Sequence, residues 1–155
     1  MTYRITGLDP LLFAPLYGLS DEALGRHGAM RMSVTDRPGF PCRIRVDDAE
    51  VGESVLLLNH VSHDVANPYR ASHAIFVTEG ALEPAEFVDS LPPALDRRVL
   101  SLRAFDLAGM MRDALLAQPG EGDAAIRELF DAPETAYIHA HNAIRGCFAA
   151  KVDRA

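Results

Sequence analysis

The chain is short of cysteine, of long apolar runs, of glycine-rich loops and of positive charge, and each shortage removes a class of protein. Two cysteines, Cys42 and Cys147, in 155 residues are too few for a disulfide scaffold, which points to a reducing cytoplasm. Apolar runs stop at four residues, as in Val55-Leu56-Leu57-Leu58, against the roughly 20 that cross a bilayer. The N-terminal Met1-Thr2-Tyr3-Arg4-Ile5-Thr6 has no apolar signal-peptide core, so no membrane partner is expected. No glycine-rich phosphate loop is present, so no nucleotide cofactor of the P-loop or dinucleotide type is expected either. With 22 acidic against 15 basic residues and a net charge of −7, the chain lacks the basic surface that releases counterions from nucleic acid. A local basic pocket for a small anionic molecule is compatible with that balance.

What is present fits one domain over residues 1–155. Hydrophobic residues make up 48% of the chain, and a domain of this length buries roughly 68–70% of its unfolded surface, enough to fold without disulfide or metal. Alternation predicts strands at Tyr3–Gly7, Met30–Thr35, Phe40–Val46, Ser54–Val61, His73–Thr78, Arg97–Phe105, Thr135–His141 and Cys147–Val152. In Phe40–Val46 the apolar face would be Phe40, Cys42, Ile44 and Val46, with Arg43 and Arg45 on the other. Ser54–Val61 is apolar on both faces, as a central strand is. Asp9-Pro10 opens a helical turn and Ser20-Asp21-Glu22 a short helix. Further helices are expected within Leu82–Ser90, over Leu107–Gln118 behind an Asp106 cap, and over Asp123–Phe130. The fold class is α+β, a mixed or antiparallel sheet with a few short helices.

Two of the six histidines fall in Tyr137-Ile138-His139-Ala140-His141, where strand alternation puts Tyr137, His139 and His141 on one face. His-x-His on a strand offers two nitrogen ligands to a transition metal. A third would come from His60, His63 or Asp64. The same rings could instead act as acid and base near neutral pH, or be ordinary core residues. Cys42 reads as a small buried hydrophobe. Phe148, Ala150 and Val152 form the expected core set of the last strand, which would leave Cys147 on the opposite face with Lys151, beside the histidines. A redox-active thiol pair would need the two cysteine Cα atoms within about 7 Å. Arg43, Arg45 and Arg70 could converge on a carboxylate or phosphate. Alternatively, Arg43 and Arg45 pair with Asp47, Asp48 or Glu50 at the surface, where each pair contributes about 0–1 kcal/mol.

Several blocks in order, Pro38-Gly39-Phe40-Pro41-Cys42-Arg43, Asp48-Ala49-Glu50 with Gly52-Glu53, Pro68-Tyr69-Arg70-Ala71-Ser72 with Ile75-Phe76-Val77, and His139-Ala140-His141-Asn142-Ala143 with Arg145-Gly146-Cys147-Phe148, resemble a bacterial family of unknown function, DUF1203. The resemblance implies no activity, cofactor or substrate. It does rank the candidates. A small residue is expected where this chain has His73, which makes His73 a poorer choice for shared chemistry than Arg43, Tyr69, Arg70, His139 or His141. Cys147 is a further catalytic candidate, apart from that ranking. Two functional readings follow. In one, Arg43 and Arg70 hold a small anionic ligand beside His139 and His141, the latter as metal ligands or acid and base. In the other, the domain is non-catalytic and self-associating, a homo-oligomer packed through the Tyr137, His139 and His141 face.

Overall fold

Eleven strands form the framework of the computed structural model, which describes residues 1–155. In chain order they are β1 (Tyr3–Thr6), β2 (Met30–Ser33), β3 (Pro41–Cys42), β4 (Asp47–Asp48), β5 (Ser54–His63), β6 (Ala71–Thr78), β7 (Glu86–Val88), β8 (Leu100–Phe105), β9 (Met111–Ala117), β10 (Tyr137–Asn142) and β11 (Phe148–Arg154). Three helices accompany them, α1 (Asp21–Arg26), α2 (Pro93–Asp96) and α3 (Gly122–Asp131). The strands form two sheets rather than one. The first has the order β7-β1-β11-β10-β8-β9 and the second β2-β5-β6-β3-β4. Every pairing is antiparallel except the single Cys42–Phe76 pair of β3 with β6, so the protein is an α+β domain with mostly antiparallel sheets.

Alternation decides what each sheet buries. On the first sheet, Ile5, Leu102, Ile138, Ala140 and Val152 face α3, whose Ile126, Leu129 and Phe130 complete the largest core cluster. Each of these side chains other than Ala140 contributes about 1.5–3 kcal/mol on burial. On the second sheet, Leu56, Leu58, Ile75 and Val77 face Phe13 of the N-terminal turns and Leu24 of α1. Ser20 caps α1 by accepting from the Ala23 N–H at 3.1 Å, as the sequence predicts. The chain leaving β1 at Gly7 and Leu8 passes directly against the turn that follows β3. Gly7 N–H donates to the Ala85 carbonyl and Leu8 N–H to that of Arg43, and a Cβ on Gly7 would overlap the Ile44 carbonyl oxygen. Only glycine permits that approach.

Three expected elements differ. Phe40–Val46 is a strand only at Pro41–Cys42 and then turns, with Val46 at φ 51°, which sends Arg43 and Arg45 in different directions. Leu107–Gln118 is the hairpin partner of β8, with Leu102 opposite Leu115 and Leu100 opposite Ala117. Asp106 caps a turn there instead of a helix, because Gly109 takes φ 75° and the Asp106 carboxylate accepts from Ala108 and Met110 N–H at 2.9 and 3.0 Å. Leu107, assigned to the helix stripe, is 95% exposed. Within Leu82–Ser90 the chain forms β7 on the edge of β1, and the helix follows at Pro93–Asp96. No helix is long and apolar enough to cross a membrane.

Candidate functional site

Where the outer face of β10 meets the end of the β5–β6 hairpin, five histidines collect. His139 and His141 share a face of β10 as predicted, and both are buried. His60 and His73 are cross-strand partners on β5 and β6. A register shift between Val61 and His63 turns His63 inward, where its ring centroid lies 5.0 Å from that of His139. His73 lies 4.9 Å from His141 by the same measure. The Tyr69 carbonyl can only accept, so His63 Nδ1–H donates to it at 2.9 Å, and Nε2 pairs with the Tyr137 hydroxyl at 2.7 Å. His141 Nδ1–H likewise donates to the Gly146 carbonyl at 3.1 Å.

Burial makes His60, His73, His139 and His141 poorer bases. Desolvation, with His63, His141, Lys151 and Arg103 adding positive charge nearby, lowers His139 to about 3. His141 is lowered to about 4, again chiefly by burial and against the raising effect of its Gly146 bond. Burial also lowers His73, with Arg103 and Arg43 contributing, and lowers His60. His139 and His141 are therefore neutral at pH 7, outside the range for acid and base exchange. Nor do they form the metal set that their spacing predicts. No group of three His, Cys, Asp or Glu side chains is arranged to hold a metal ion. The His139 ring is packed against Phe105 and Phe148, at centroid distances of 5.3 and 5.1 Å, and Asp64 pairs instead with Arg70.

Next to this row opens a cleft of about 660 Å³, whose charged walls are Arg43, Arg97, Arg98 and Arg145, with His73, Asn142 and Cys147 among the other lining residues. No carboxylate lines it. Asp48 stands behind the wall, wholly buried, and pairs with Arg98 at 2.6 Å and Arg97 at 3.2 Å. One negative charge thus faces four positive ones in a chain whose net charge is −7. Leu57, Phe76 and Val99 supply apolar wall, and Ile144, 89% exposed, stands at the rim beside Arg145.

Arg43 is the unusual member, at 3% exposure and without a carboxylate partner. Its Nε–H donates to the Phe148 carbonyl at 2.8 Å, its Nη1 to the Pro41 carbonyl, and its Nη2 to Cys147 Sγ at 3.1 Å. Burial lowers its pKa, and the Cys147 sulfur acts in the opposite direction. Asn142 Nδ2 also points to Cys147 Sγ, at 3.5 Å. Its Oδ1 is buried with no hydrogen-bond partner, a deficit that costs about 1–3 kcal/mol when nothing fills it. Gly146, at φ 77°, turns the chain back so that Asn142 and Cys147 meet.

Several predicted residues lie elsewhere. Arg70 is exposed and paired with Asp64 at 3.1 Å, and Arg45 pairs with Glu53 at 2.8 Å; neither lines the cleft. Tyr69 contributes its carbonyl to His63. Cys42 and Cys147 are both free thiols, and Cys42 is buried at 1% exposure with its sulfur accepting from Thr78 N–H. Phe148, expected on the core face, lies on the histidine face. The register shift in the β10–β11 pairing sets it opposite His141. Sequence reasoning passed over Arg97, Arg98 and Asn142. Arg97 and Arg98 follow the short helix that Pro92 caps and Pro93 opens, a point where a basic pair would have signalled a site only if Asp48 were known to reach it. His73, ranked low by resemblance, is in the cleft wall.

Fold and site together define a small two-sheet α+β domain with a cationic cleft closed by the hairpin turn between its last two strands. The model of the family DUF1203, described as a protein of unknown function, matches residues 39–154, and the chain belongs to that family. The match begins at Gly39, the first residue of the cleft, and includes all the others. No curated protein and no solved structure gives a match.

Proposed function

We propose that the cleft binds a small molecule through an anionic group, a carboxylate or phosphate, with an apolar portion against Leu57, Phe76 and Val99. The observation that carries this reading is the unbalanced charge: four arginines line one cavity, and the one carboxylate paired with any of them, Asp48, is shared by Arg97 and Arg98. Guanidinium groups match both anions in planar, bidentate geometry. Arg145 forms no salt bridge within the chain and is exposed at the rim, so it is the guanidinium with its donors open to a ligand. A second concavity, near Asp106 and Arg154, offers less, since Asp106 is paired with Arg112 and Arg154 donates to three carbonyls.

Calorimetric titration with inorganic phosphate and with hexanoate tests the reading and separates the two anions. Saturable binding of either, weakened about tenfold or more in Arg145→Ala and unchanged in Arg70→Ala, is expected. Absence of binding by both anions, or equal weakening by the two substitutions, would overturn it.

A further inference from the structure

We infer that Cys147 is the nucleophile of the cleft, and that its targets are anionic molecules carrying an electrophilic carbon; the anionic half of this statement rests on the function proposed above. The two thiols of the chain make an internal comparison. Cys42 is 1% exposed, and its sulfur accepts from the backbone N–H groups of Thr78 and Arg45, at 3.2 and 3.5 Å. That is a packing role. Cys147 is half-buried and lines the cleft, and its sulfur is approached by side chains instead, Arg43 Nη2 at 3.1 Å and Asn142 Nδ2 at 3.5 Å.

The Arg43 contact matters because of what else that guanidinium touches. Its other acceptors are two neutral carbonyls, so the Cys147 sulfur is the one group bonded to it that can carry negative charge. A cation held against sulfur in a partly accessible site is the environment in which cysteines react as nucleophiles. Asn142 gives a second, independent indication. It is 9% exposed, lines the same cleft, and leaves Oδ1 buried without a partner. The amide that reaches the sulfur through Nδ2 thus keeps an unfilled acceptor on its other arm, a deficit that a bound group or a small shift of the side chain would relieve.

The reaction is a displacement at carbon. The thiol proton passes to water, the sulfur electron pair forms an S–C bond, and the leaving group departs with the electrons of the bond that breaks. No oxidant or cofactor is required.

Iodoacetate and iodoacetamide test this on the full chain, because they deliver nearly the same carbon with and without an anionic group, and iodide leaves in both cases. Rates at each cysteine are read by mass spectrometry at pH 7, in the native protein and in urea. Native Cys147 is expected to react about tenfold faster than the same thiol in the unfolded chain, with Cys42 unlabelled until unfolding. The ratio of iodoacetate to iodoacetamide rates should be higher in the native protein than in urea and should fall to the urea value in Arg145→Ala. Cys147→Ser should remove native labelling. Native Cys147 reacting no faster than the unfolded thiol with both reagents would overturn the nucleophile, even if phosphate binds calorimetrically. Fast labelling with an unchanged reagent ratio would uphold the nucleophile and overturn its anionic targets.

Discussion

Asp48 accepts from both terminal nitrogens of Arg98, one oxygen at 2.9 Å from Nη1 and the other at 2.6 Å from Nη2. It is the buried anchor of the cleft wall, because the same carboxylate also receives Arg97 at 3.2 Å. Replacing it removes the one negative charge among four guanidinium groups.

Asp48→Asn should therefore destabilise the fold by about 2–4 kcal/mol, toward the lower part of the range for a buried pair that loses one partner, since Arg97 and Arg98 retain some solvent. A urea midpoint shift with an unchanged slope would show it. A loss below about 0.5 kcal/mol would mean that the two arginines are held by their backbone partners alone.

Acid should weaken the protein through the inter-sheet histidines. His139 and His141 have folded values of about 3 and 4 against 6.5 in an unfolded chain. Between these values the unfolded chain binds protons that the folded chain refuses, so stability falls as pH drops below 6.5 and is insensitive to these rings above it. From pH 6.5 to about 5, before most carboxylates titrate, each ring should account for about 1.5 kcal/mol. Urea midpoints across that interval should slope downward with acid, and His139→Gln should flatten the slope. A parent protein with equal midpoints at both ends would refute the assignment.

Tyr137→Phe removes the hydroxyl bonded to His63 Nε2 at 2.7 Å and leaves that buried ring nitrogen without its partner. The expected loss is about 1–2 kcal/mol. Histidine NMR should report the change at His63 first, since the Tyr69 carbonyl continues to hold its Nδ1. A thermal midpoint equal to that of the parent would indicate that water replaces the hydroxyl at no cost.

Gly7→Ala places a methyl group on the Ile44 carbonyl oxygen. The strain has to be relieved by moving either β1 or the turn that carries Arg43, and a loss of about 2 kcal/mol or more is expected. Circular dichroism melting settles it; a stability within about 0.5 kcal/mol of the parent would show that the two segments part easily.

Much of the fold is legible in the chain because its strands alternate and its caps are ordinary. The Ser20 cap, the central apolar Ser54–Val61 run and the period-two face of Tyr137, His139 and His141 all follow from side-chain type and spacing. The failures have local causes. Leu107–Gln118 has helical spacing of apolar residues, but Asp106 and Gly109 form a tight turn and β8 supplies the partner that the strand pairing needs. Phe40–Val46 alternates cleanly, yet the positive φ of Val46 and the turn from Arg43 are invisible to alternation. The shift of Phe148 to the histidine face depends on a bulge, and no periodicity registers one extra residue. The cleft was the least legible feature, since Arg43, Asp48, Arg98 and Cys147 meet only through tertiary structure.

Phe148 occupies both sides of this arrangement. Its carbonyl accepts from Arg43 Nε at 2.8 Å, while its ring packs 5.1 Å from that of His139. Main chain and side chain of one residue thus reach two neighbourhoods, the Arg43 guanidinium of the cleft wall and the histidine row between the sheets. Thermodynamic linkage requires that any shift a cleft ligand makes in the proton equilibrium of His139 be matched, by the same factor, in the effect of that protonation on the ligand's affinity. The extra residue in the last strand is what brings both contacts onto one side chain and its own carbonyl.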